Sequence, residues 1–230
     1  MKMEDITIYD MPIWMCALVD TVSETCKKRL KTSPEYRRLL KESDELIDCY
    51  RFISTLIDRD EIDEPLNLTL EQTKALSQFL ALDADREDYE RIQLYLMGCQ
   101  HTMEVLQLLK LESKRKERQR METDYTEFCD CIKRIEENFM ELDSAIVVDL
   151  KQKNGEYAAL SHEIGQMEKA YPFLVKLSEG DGAIALTAEE HEILKEYLRK
   201  FFQKDNLERC HIYFRGHTDG YAYLKEIGAI

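Results

Sequence analysis

Glycine and proline are scarce, 8 and 4 in 230 residues. So few chain breakers exclude a turn-rich β protein. A composition of 44% hydrophobic and 34% charged residues excludes a disordered chain. The expected fold class is therefore all-α. Basic residues are also short, 32 Lys and Arg against 46 Asp and Glu, a formal charge of -14. Such a chain repels free nucleic acid and anionic membrane unless a local basic patch overrides the field, and its expected charged partner is a basic protein.

Long apolar runs are missing too. Stretches such as 145–148 fall far short of the roughly 20 residues that span a bilayer, so no membrane partner is expected. Residues 1–10 are polar and acidic, without the basic start and apolar core of a secretory leader. The 7 cysteines are odd in number and follow no spacing of a small disulfide framework. A reducing, cytoplasmic setting is expected. Cys16, Cys26, Cys49, Cys99 and Cys210 fall within helical apolar patterns and read as small core hydrophobes.

Motifs of catalysis are absent from the sequence. It has no nucleophile elbow, no phosphate-cradling glycine loop, no dinucleotide fingerprint and no His-Glu-x-x-His helix. Cys129 with Cys131, and His211 with His217, are the nearest approach to metal-ligand pairs. On a regular helix residues two apart diverge by about 200° and residues six apart by about 120°, so neither pair chelates. Glu208 and His211 have the Glu-x-x-His spacing of di-iron bundles, but Glu90 is followed by Gln93 in the corresponding place. No catalytic residue, cofactor or metal is expected, and the chain reads as a non-enzyme.

What is present is an internal repeat. Shifted by 121 positions, Tyr36, Leu39, Glu42, Tyr50, Phe52 and Leu56 fall on Tyr157, Leu160, Glu163, Tyr171, Phe173 and Leu177. With the shift reduced to 118, Leu68, Thr69, Glu71, Leu76 and Leu80 meet Leu186, Thr187, Glu189, Leu194 and Leu198. The same shift carries Glu90, Arg91, Tyr95, Gly98 and Leu106 onto Glu208, Arg209, Tyr213, Gly216 and Leu224. Duplication explains this register.

Each copy reads as helix, connector, helix, short link, helix. Leu39, Leu46, Ile53 and Leu56, matched by Leu160, Met167, Leu174 and Leu177, form one apolar stripe along the first helix. Polar connectors at 58–67 and 178–183 interrupt it, and Thr69 and Thr187 cap a second helix of about 14 residues whose first turns hold Glu71, Glu189 and Glu190. Asp85 and Asp205 read as caps of the third helix. Stretches at 12–30 and 123–151 supply a fourth helix of each unit. The expected architecture is two tandem copies of a three- to four-helix unit joined by a long connecting helix. Residues 1–110 would be the first unit, 111–132 the connector and 133–230 the second.

Two small clusters stand out. Gly216 and Gly220 lie four apart on one side of a helix, with Gly98 and Thr102 in the first copy. Glycine costs about 1 kcal/mol against alanine inside a helix, so this spacing predicts a crossing with another backbone. Lys114, Arg115, Lys116, Arg118 and Arg120 form a basic run in an acidic chain. A run of that kind can grip phosphates or a partner, and it can equally be a solvated helix that attracts acidic surfaces.

Tyr95, Leu96, Met97 and Gly98 with Thr102 and Leu106, then Phe214 beside Gly216, Gly220 and Leu224, form a pattern preceded in the first copy by Ser33, Pro34, Glu35 and Tyr36. It resembles small uncharacterised helical proteins encoded by Firmicutes and their phages or mobile elements. The resemblance implies a bacterial or phage setting and brings no activity and no site residues. The expected function is an adaptor or inhibitor that binds another protein, in its sharpest form an acidic anti-defence inhibitor of the anti-CRISPR kind. The alternative is a nucleic-acid-associated protein that uses the basic run. A homodimer is compatible with either.

Overall fold

A computed structural model describes residues 13–58, 66–113, 125–180, 182–226 and 228. Their order is α1 (Ile13–Leu30), α2 (Pro34–Cys49), α3 (Phe52–Asp58), β1 (Leu66–Leu68), α4 (Leu70–Ser113), α5 (Tyr125–Lys153), α6 (Gly155–Ala170), α7 (Phe173–Glu179), β2 (Ile184–Leu186) and α8 (Ala188–Glu226). Among the described residues the chain is all-α apart from one pair of three-residue strands. None of its described helices is long and apolar enough to cross a membrane.

The expected first helix of each copy is two helices. In the first copy α2 starts at the Ser33 cap, whose side chain accepts from the Tyr36 N–H, and stops at Tyr50, where the backbone turns to φ -129° and ψ 76°. In the second copy Pro172 lacks the N–H that would continue α6, and α7 starts immediately after it. Both breaks bring an aromatic pair together, Tyr50 edge to face with Phe52 at 6.3 Å and Tyr171 tilted on Phe173 at 6.2 Å between centroids.

The expected second and third helices, by contrast, are one. Asp85 and Asp205 stand inside the continuous α4 and α8, of 44 and 39 residues. Aspartate is a good cap but costs well under 1 kcal/mol inside a helix, and no proline stands in either segment to force a stop. The caps at the true starts are reciprocal. Thr69 N–H donates to Gln72 Oε1 (2.9 Å) and Gln72 N–H to Thr69 Oγ1 (3.3 Å). Thr187 and Glu190 repeat this at 2.9 and 3.2 Å, so each long helix opens on a capping box.

The strands were not expected. β1 and β2 pair antiparallel with Leu66 opposite Leu186, Asn67 opposite Ala185 and Leu68 opposite Ile184. Asn67 and Ala185 are equivalent positions of the repeat, so the pairing is reciprocal between the copies. The core around it is built the same way. Ile53 and Leu174, Leu56 and Leu177, Leu68 and Leu186, and Leu76 and Leu194 are four equivalent pairs, all buried in one cluster.

Compactness divides the chain into two units, each drawn from both copies. Of the described residues, one holds 28–58, 66–89, 155–180 and 182–207, including the strands and the core just described. The other holds 13–27, 90–113, 125–154, 208–226 and 228. Copies and compact units are therefore different partitions of the chain, and the expected boundaries at 110 and 133 fall inside the second unit. The physical reason is that equivalent elements pack on each other as well as on the rest of their own copy.

Candidate functional site

In the unit that holds residues 90–107 and 208–226, α4 and α8 cross at Gly98 and Gly216. A Cβ added at Gly98 would fall on the Tyr213 carbonyl oxygen, and one added at Gly216 on the Tyr95 carbonyl oxygen. Tyr95 and Tyr213 are equivalent residues, so each copy offers the same glycine to the same carbonyl of the other. Gly220 is also tight, since its Cβ would lie 3.1 Å from the Cys99 Cα. Its first-copy equivalent, Thr102, faces His217, with Oγ1 and Nδ1 2.7 Å apart. One side of the crossing thus pairs Gly220 with Cys99, the other Thr102 with His217.

Five charged side chains flank the crossing. Arg209 Nη2 donates to Glu90 Oε2 at 2.9 Å, and Arg91 reciprocally holds Glu208 while reaching Asp143 on α5 at 3.2 Å. Glu90 and Glu208 are 2% and 3% exposed, so these are desolvated ion pairs whose geometry the fold fixes. The Glu90-Arg91 and Glu208-Arg209 dipeptides were visible in both copies of the sequence; that each pairs with the other was not.

Above them the copies diverge. The Tyr95 hydroxyl donates to Asp219 Oδ2 at 2.9 Å, and the Tyr213 hydroxyl meets His101 Nδ1 at 2.7 Å. Asp219 and His101 are again equivalent positions. Burial pushes the Tyr213 hydroxyl up and the Tyr95 hydroxyl well above the ordinary phenol range, with Cys99 and Asp219 adding to the effect at Tyr95. His217 is pushed down to about 4, first by burial and then by His101. Burial takes His211 down to about 4 as well. Of the two histidines weighed as a metal pair, His211 is buried and His217 half-buried, both pushed toward the neutral form, and Glu208 turns to Arg91. Donors and acceptors around Gly98, Thr102, Gly216 and Gly220 satisfy one another across the crossing. The arrangement clamps two helices.

Other sequence candidates separate. Lys114, Arg115, Lys116, Arg118 and Arg120 lie outside the described residues, as do the side chains of Cys16, Cys129 and Cys131. Cys26 and Cys210 are buried as expected of core cysteines. Cys49 is exposed at the end of α2, which corrects the expectation for it: the helix stops there and its last residue faces out.

A cavity of about 300 Å³, not legible from the sequence, lies in the other unit between α2, α4 and α8. Leu76, Phe79 and Leu80 of α4 and Leu194, Tyr197 and Leu198 of α8 line it, with Leu56, Leu174 and Leu177 closing one end. Ser43 and Asp44 of α2 and the ion pair of Asp83 with Arg86 supply its polar atoms. Nearly all its apolar wall is also core, which is why periodicity alone read these residues as packing.

No curated protein and no solved structure shows significant similarity to the chain. A family model does, and it matches twice, over residues 6–111 and 126–230, in agreement with the repeat and the reciprocal contacts. The chain belongs to the family of unknown function DUF6664, of which it carries two tandem copies.

Proposed function

We propose that this protein is a non-enzymatic adaptor or inhibitor that presents two related faces, one from each copy, to another protein. The observation that carries the reading is a pair of exposed apolar residues at equivalent positions. Val105 on α4 is 52% exposed and Tyr223 on α8 is 46% exposed. Large apolar side chains left in water at the same place in both copies suit a partner with two-fold symmetry or two adjacent sites, where the second contact is gained at high effective concentration. In this reading each copy is a three- to four-helix unit and residues 111–132 connect the two.

The charge of -14 selects a basic partner. With the bacterial or phage setting of the resemblance, this favours a cytoplasmic inhibitor whose carboxylates occupy the phosphate sites of a nucleic-acid-binding defence enzyme. The test is capture from a bacterial lysate on the immobilised full chain, with and without nuclease, beside the double variant Val105→Glu, Tyr223→Glu. A stoichiometric protein should survive nuclease, be lost with the double variant and elute at high salt. Retention that needs nucleic acid would transfer the function to the basic run at 114–120, and retention unaffected by the variant would remove the paired face.

A further inference from the structure

We infer that the two copies are partner protomers carried on one chain: the face each copy turns to the other is an interaction surface that takes a copy of the other kind and rejects its own kind, with Thr102 and Gly220 setting the choice. The contacts have the reciprocity of a two-fold dimer interface, in which one residue meets a second and the equivalent of the second meets the equivalent of the first. Gly98 lies on the Tyr213 carbonyl and Gly216 on the Tyr95 carbonyl. Arg209 holds Glu90, and Arg91 holds Glu208. β1 and β2 pair about Asn67 and Ala185, beside a core to which both copies give equivalent residues. A copy by itself would lose the other's half of that core and the counterion of its buried glutamate. These contacts, and not the peptide link, hold the copies together.

Most of the interface does not tell the copies apart, because equivalent residues supply both sides of it. Even the tyrosines do not: in a pair of first copies Tyr95 would meet His101, and in a pair of second copies Tyr213 would meet Asp219, each a competent partner. Discrimination falls to the crossing. Positions 99 and 102 correspond to 217 and 220, so the chain sets Gly220 against Cys99 on one side and Thr102 against His217 on the other. Two first copies would set Thr102 against Cys99 on both sides. A bare Cβ at the position of Gly220 already comes to 3.1 Å from the Cys99 Cα and 3.2 Å from its carbonyl oxygen, backbone atoms that cannot turn aside, and threonine adds a methyl and a hydroxyl beyond its Cβ.

Two second copies would set Gly220 against His217 on both sides. Each half-buried His217 would then lose the Thr102 Oγ1 that lies 2.7 Å from its Nδ1, with only glycine in its place. The mixed pair alone has one wide side for threonine and one tight side for glycine, which is specificity by a clash built against the wrong partner. An overpacked contact is worth about tenfold or more in an equilibrium, and a pair of first copies would carry it twice. The surface therefore fits a second helical repeat of complementary type, supplied by the same chain or by another molecule of it.

The experiment cuts the full chain and lets the halves choose. A protease site flanked by glycines is inserted between residues 117 and 118, and the chain, with and without an N-terminal affinity tag, is cut to completion as judged on a denaturing gel. The cut protein should remain one particle of full-chain mass by light scattering. Cut tagged and untagged proteins are then mixed in concentrated urea, diluted together and captured on the tag, and the retained fragments are identified by mass spectrometry. Each tagged first copy should bring a second copy, and untagged first copies should be retained less than about a tenth as often. Thr102→Gly, which removes the clash from pairs of first copies, should raise that retention by about fivefold or more. Independently, Gly220→Thr in the uncut chain should lower the urea midpoint, although threonine is the better helix former. Halves that separate or precipitate once cut, untagged first copies retained as often as second copies, retention unchanged by Thr102→Gly, or an unchanged midpoint for Gly220→Thr would each overturn the proposal.

Discussion

Tyr95 and Tyr213 occupy the same place in the two copies, and each sends its hydroxyl across the helix crossing, to Asp219 at 2.9 Å and to His101 at 2.7 Å. The crossing is thus reciprocal in its backbone and different in its side chains. Gly98 and Gly216 have no room to differ, because each lies against the carbonyl one turn back in the other copy. Positions 101 and 219 have room, and became histidine in one copy and aspartate in the other.

Glycine substitutions test the backbone contact directly. Gly98→Ala and Gly216→Ala should each destabilise the protein by about 3 kcal/mol, since the added methyl meets a carbonyl of a helix that is itself held by ion pairs. Gly165→Ala is the matched control: its Cβ meets nothing within 4 Å, and removing a helical glycine should stabilise by about 0.5–1 kcal/mol. Urea unfolding of the three variants decides it, and equal melting of all three would contradict the close approach.

The ion pairs beside the crossing make a second prediction. Arg209→Met removes the guanidinium that holds the buried Glu90 carboxylate and should cost about 3–5 kcal/mol. Adding Glu90→Gln to that variant should recover more than half of the loss, because the charge that lost its counterion is then gone. A double-variant cycle by chemical denaturation measures the coupling, and additive costs would mean that the pair contributes no interaction of its own.

Acid should unfold the protein through its buried histidines. Burial lowers the folded pKa values of His211 and His217 to about 4 from an ordinary 6.5, and His191, buried with neither ring nitrogen hydrogen-bonded, is lowered as well. A lowered histidine pKa means the folded state favours the neutral ring. The stability is therefore full above about pH 6.5 and is lost as pH falls toward 4, by about 1–2 kcal/mol for each of His211 and His217 at pH 5 after allowance for solvent screening. Unfolding free energies measured from pH 7.5 to 4.5 should fall with this slope, and His217→Gln should flatten it; a slope unchanged by the substitution would exclude His217 as its source.

Much of this architecture was legible before any coordinates. Matched positions such as Tyr50 with Tyr171 and Thr69 with Thr187 revealed the duplication, because a copied helix keeps its caps and its apolar face. The pair Gly216 and Gly220 announced a close crossing, since two helical glycines four apart put two side-chain-free positions on one face, where another backbone can approach. The helix ends were harder. Asp85 and Asp205 look like caps from their neighbours alone, yet α4 and α8 continue through both, as the packing of Leu94 and Ile212 repays a small local penalty. The strands were hidden because three alternating residues, Leu66 to Leu68 or Ile184 to Leu186, are too short to signal a strand until their equivalents lie alongside.

Helical, acidic and duplicated are properties of residues read in order, since composition, periodicity and self-similarity need no third dimension. That each copy packs against the other emerges only when the chain is folded. That choice sets Glu90 against Arg209, Gly98 against Tyr213 and Leu66 against Leu186, pairs more than a hundred residues apart whose contact no local pattern encodes. The cavity is of the same kind, because an unfilled volume belongs to the fit between helices and to no single stretch of chain.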